Sequence, residues 1–88
     1  MTHLDLVQRV RQEVRDTIAE LSHESTQPLQ ETILVRDGLY CGRRFQAEQY
    51  EAIWFIEEGE IKFYAIDGGV LLVRRVREDE RVEMRRAA

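Results

Sequence analysis

Four groups of residues in this chain have types and spacing suited to chemistry: two histidines, one cysteine, a knot of glutamates and two arginine pairs. Histidine is the side chain most often used for proton transfer near neutral pH. Here His3 and His23 stand twenty residues apart on what reads as one helix, which places them about 30 Å from each other. One intrachain site cannot use both, and both are expected at the surface. Cys41 is the only cysteine, and Arg43 follows two positions later. On a strand the two share a face, where a guanidinium would favour the thiolate. A nucleophile also needs a base, and none lies near in sequence. A lone free cysteine usually packs as a small hydrophobe, so packing is expected for Cys41 and thiol-dependent catalysis is the alternative.

Glu57, Glu58 and Glu60 surround Gly59. Clustered carboxylates can hold a divalent cation or divide acid and base roles. A calcium loop draws on more oxygen ligands at regular offsets, so these glutamates read as solubilising charge on an exposed turn. No histidine–cysteine spacing suits zinc. Asp67-Gly68-Gly69 runs into valine and leucine, not into the helix a phosphate loop requires. Neither a metal nor a cofactor is expected.

Arg43-Arg44 and Arg74-Arg75 are the strongest binding candidates. If both pairs lie on strands, each sends one arginine to each face. Tyr40 is expected to share the face of Arg44, where a ring beside a guanidinium can stack on a base or carry a peptide. Tyr40, Arg43, Arg44, Arg74 and Arg75 therefore form the candidate binding set. The competing expectation is that these arginines pair with Glu31, Glu48 or Glu51 across strands.

These residues must be positioned by one helix and a run of short strands. Thr2-His3-Leu4-Asp5 has the pattern of a capping box. Leu4, Val7, Val10, Val14, Ile18 and Leu21 then repeat at steps of three and four, an apolar stripe at helical period over about 3–22. The segment His23 to Pro28 ends the helix, because proline disfavours helix at the residue before it. Residues 22–28 are read as a linker. From residue 30 the period falls to two. Asp37-Gly38, Glu58-Gly59 and Asp67-Gly68-Gly69 punctuate short β-branched and aromatic runs as far as residue 76. The expected fold is α+β: an N-terminal amphipathic helix packed on a four- or five-stranded antiparallel meander, with curling into a small barrel as the alternative to an open sheet. Residues 1–77 make the single domain, and 78–88 are a charged, flexible tail.

Composition narrows the function classes. Eighty-eight residues and 10.4 kDa allow one thin hydrophobic core. Hydrophobic residues at 43% and charged residues at 34% exclude a disordered chain. No apolar run approaches the length of a membrane span, and no signal-peptide core opens the chain. A single cysteine cannot form an intrachain disulfide, so a cytoplasmic location and no membrane partner are expected. Twelve arginines stand against one lysine, Lys62, a bias that a GC-rich bacterial genome also produces. The net charge of −4 argues against a dedicated nucleic-acid binder. The distribution is uneven, though: 45–70 holds six acids and one base, and 71–88 holds six arginines and four acids.

Apolar residues fall on both faces of the predicted strands, Trp54 opposite Ile53 and Phe55, and Ile61 and Phe63 opposite Tyr64. One helix covers one face only, so a second copy of the chain or curling of the sheet must cover the other. The expected function is a small non-enzymatic protein-interaction or regulatory domain acting as a homodimer. The alternatives are nucleic-acid binding through the tyrosine and arginines, and catalysis through Cys41.

Overall fold

The structure is a computed structural model that describes residues 2–23 and 28–76; the middle of the expected linker and the expected tail at 78–88 lie outside the described residues. Helix α1 spans His3–Ser22. Its start is the capping box read in the sequence: the Thr2 hydroxyl accepts from the Asp5 N–H at 3.1 Å, and the Asp5 carboxylate accepts from the Thr2 N–H at 3.3 Å. His23 closes the helix in the left-handed region (φ 62°), its N–H bonding to the Ala19 carbonyl at 2.9 Å. The stop is therefore a helix cap five residues before Pro28. The buried arc runs through Leu6, Val7, Val10, Val14, Thr17 and Ile18. Leu6 takes the place expected for Leu4, because at 100° per residue Leu6 lies closer to the middle of that arc.

Five strands follow: β1 (Gln30–Arg36), β2 (Leu39–Gln46), β3 (Tyr50–Phe55), β4 (Glu60–Ala65) and β5 (Val70–Arg75). They pair in chain order, all antiparallel, and β1 and β5 are the two edges of the sheet among the described residues. The sheet is open, so curling into a barrel does not occur. Asp37 and Gly38 both take positive φ (54° and 77°), as the two central residues of a type I′ hairpin turn must. Two β-bulges interrupt the ladders. Cys41 is the extra residue on β2 opposite Leu34–Val35, and Leu71 the extra residue on β5 opposite Phe63–Tyr64.

Cross-strand partners share a face, so the register sorts the side chains. Glu31, Phe45, Ala52, Phe63 and Leu72 form one row toward α1; Ile33, Arg43, Trp54, Ile61 and Arg74 form the next. Thr32, Arg44, Ile53, Lys62 and Val73 run across the opposite face. A helix is about 10–12 Å wide, whereas five strands at about 4.8 Å spacing span about 19 Å. The helix can cover only the middle of the sheet. Accordingly Phe45 on β2, Ala52 and Trp54 on β3, and Ile61 and Phe63 on β4 are buried, while β1 and β5 contribute no buried side chain.

Candidate polar network and exposed edge

The most connected polar site lies where the start of α1 meets β1 and β2. Glu31 is its centre. Its carboxylate accepts from Arg11 Nε at 2.7 Å and from the second Arg11 nitrogen at 3.1 Å, and from Arg43 at 2.6 Å. Arg43 Nε donates to the Tyr40 hydroxyl oxygen at 2.9 Å. The same hydroxyl is hydrogen-bonded to His3 Nε2, 3.0 Å away, in a direction set by the His3 tautomer. The His3 ring stacks over Trp54 with centroids 5.9 Å apart and meets the Tyr40 ring edge-on at 5.3 Å. The chain His3–Tyr40–Arg43–Glu31–Arg11 thus ties one helix to two strands.

The bulge at Cys41 decides this arrangement. An extra residue in a strand reverses the alternation beyond it. Tyr40, expected on the face of Arg44, instead joins Arg43, whose guanidinium carbon also lies 5.6 Å from the ring centroid. Arg44 points to the other face and pairs with Glu51, Nε to carboxylate 2.7 Å. The electrostatics follow from the contacts. The hydrogen bond from Arg11 holds the Glu31 carboxyl below the usual carboxylate range; partial burial opposes this and Arg43 adds to it. Arg11 is raised above the ordinary arginine value, chiefly by the same hydrogen bond. Partial burial works against the Arg43 charge, but its bonds to Tyr40 and Glu31 outweigh burial and raise it. One carboxylate serves two guanidiniums, so the network keeps one net positive charge, and its hydrogen bonds act as a clasp between elements.

The other candidates are dispersed. Arg74 lies on the helix-facing side of β5, 3.6 Å from Glu20, and its Nε is buried with no hydrogen-bond partner among the described residues. Arg75 is on the opposite face, across from Glu60 on β4. Three strand spacings, about 14 Å, separate the arginines of β2 from those of β5. The five candidates are therefore not one patch; the side chains of Tyr40 and Arg43 are the two that meet. Cys41 is half-buried, with its thiol 3.5 Å from the Leu34 carbonyl oxygen. His3 lies beside the β1–β2 hairpin and His23 at the far end of α1, and both are exposed. Lys62 reaches Glu58 at 3.9 Å beside the Gly59 turn. No group of three or more potential metal ligands occurs among the described residues. No helix among them is long and apolar enough to cross a membrane.

Two features escaped the reading of the sequence. Arg11 looked like one more polar residue outside the apolar stripe; its partner Glu31 is twenty positions on, beyond the helix end, and no spacing rule joins them. The second is an exposed apolar edge. Ile33 and Val35 alternate with Glu31 on the helix-facing side of β1, beyond the reach of α1, and Leu4 is exposed at the start of the helix. The signal for it was present in the arithmetic of helix width against strand number. Comparison with family models, curated proteins and solved structures returns no match.

Proposed function

We propose that this chain is a small non-enzymatic interaction domain that works as a homodimer. The observation that carries this reading is the mismatch between a single helix and five strands. Every buried strand residue belongs to β2, β3 or β4. Large apolar side chains are left exposed at both margins, Ile33 and Val35 on β1 and Val70, Leu71 and Val73 on β5. Exposed apolar surface gathered at defined edges is typical of an association surface. A self-associating domain needs no pocket, and the most connected polar network here is engaged in bonds between its own elements. The nucleic-acid reading has less support, because Arg43, Arg44 and Arg74 each face an acid and lie on opposite faces.

Sedimentation equilibrium across the micromolar range tests the proposal. Two chains of 10.4 kDa give an expected 20.8 kDa species that dissociates on dilution. A 10.4 kDa species at every concentration would remove it. Salt-sensitive retention of the protein on single-stranded nucleic acid would favour the alternative instead.

A further inference from the structure

We infer that two copies meet along β1, antiparallel and across a two-fold axis at Ile33, so that the two sheets join into one of ten strands. This rests on the homodimer reading and assigns its surface. Among the described residues β1 pairs with β2 on one side only, which leaves alternate backbone N–H and C=O groups on its outer side without strand partners there. Such an edge is a template for another strand unless it is protected by proline, lysine, a bulge or an inward charge. β1 has no proline and no lysine, and the bulge beside it is carried by β2. Its one charge on the helix-facing side, Glu31, is already held by Arg11 and Arg43. The other edge differs: β5 carries its own bulge at Leu71 and ends in two arginines.

Three features favour a second copy, and an antiparallel one. Ile33 and Val35 are 55% and 59% exposed on the helix-facing side of the edge, and Leu4 is 61% exposed at the start of α1. A two-fold axis perpendicular to the sheet keeps both helices on that side and joins the two apolar patches into one. The only charges on β1 are Glu31 near its start and Arg36 at its end. An antiparallel partner sets Arg36 across from the partner's Gln30, whereas a parallel one in register sets Arg36 directly beside the partner's Arg36. With the axis at Ile33 all seven residues pair: Ile33 faces the partner's Ile33, Glu31 faces the partner's Val35, and Gln30 faces the partner's Arg36. Packing through the uncovered sheet face would instead take Arg44, Glu51 and Lys62 out of water, a cost that edge pairing avoids.

Two substitutions and one cross-link test the assignment by sedimentation. Ile33→Lys alters a side chain exposed in the single chain, so the fold is retained by circular dichroism while the dimer Kd rises about a hundredfold. Ile53→Lys on the uncovered face leaves the Kd within a few-fold of wild type. Directly opposed residues of antiparallel strands have Cα atoms about 4.5–5.5 Å apart, within disulfide range. The Ile33→Cys variant in a Cys41→Ser background should therefore form a covalent dimer on mild oxidation. A wild-type dimer that survives Ile33→Lys, or that gives no such cross-link, overturns the β1 assignment and leaves the homodimer standing. Open-ended oligomers also overturn it, since they require a non-symmetric contact. A chain monomeric at every concentration removes the homodimer itself, and the β1 pairing with it.

Discussion

Glu31 holds two arginines, from α1 and from β2, and its depressed pKa gives a pH dependence with a definite sign. A carboxyl whose folded pKa lies below its unfolded value adds stability above the unfolded value. That contribution is lost as pH falls through the lower folded one. Urea denaturation should show wild-type stability falling below about pH 4, and Glu31→Gln should show a shallower fall. At neutral pH the same substitution should cost about 1–2 kcal/mol, because half-buried Arg43 loses a charged acceptor. Gly42 is demanding for a different reason. A Cβ there would overlap the Trp54 carbonyl oxygen of the neighbouring strand, and backbone cannot move aside cheaply. Gly42→Ala should lower stability by more than about 2 kcal/mol, read as a fall in melting temperature. Trp54 is buried completely, and its indole N–H has no acceptor among the described residues.

At the scale of elements, local rules explain the ends and a bulge explains the site. The capping box satisfies a backbone donor at the start of α1, where His3 must be held over Trp54. Thr2→Ala should cost about 1 kcal/mol and raise amide exchange in the first helical turn, measured by hydrogen exchange. The Asp37-Gly38 turn fixes the β1–β2 register, pairing Arg36 with Leu39. Cys41 then enters as the extra residue and turns Tyr40 toward α1. Without that bulge, Tyr40 would stand on the far face with Arg44, and the link from Arg43 to His3 would be broken. The lone cysteine matters here through its place in the ladder.

At the scale of the molecule, geometry leaves a surplus. The sheet is wider than the single helix that covers it, and β1 and β5 extend past the core on either side. On the homodimer reading, dimerisation linked to folding makes stability depend on concentration, so the melting temperature should rise with protein concentration. The Ile33→Lys variant should lose that dependence. The ion pairs of the uncovered face, Arg44 with Glu51 and Lys62 with Glu58, are exposed enough to contribute little to stability. Their role is to keep in water a face that also bears Ile53 and Phe55.

The sequence alone determined the parts of the fold governed by short-range rules. Thr2 and Asp5 marked the helix start, the apolar spacing set its length, and Asp37-Gly38 and the later glycine turns divided the antiparallel strands. These features were legible because caps, turns and periodicity act within a few residues. It also indicated that one helix could not cover both faces of the sheet. Tertiary structure decided what depends on relative position: that the sheet stays open, that Leu6 rather than Leu4 enters the core, and that Tyr40 faces Arg43. A single bulged residue reverses the sidedness of a strand, and nothing in the composition of Leu39–Phe45 announces it. Arg11 meets Glu31 only because α1 packs on the middle of the sheet, from which the long Arg11 side chain reaches β1, a contact between distant residues that packing alone creates.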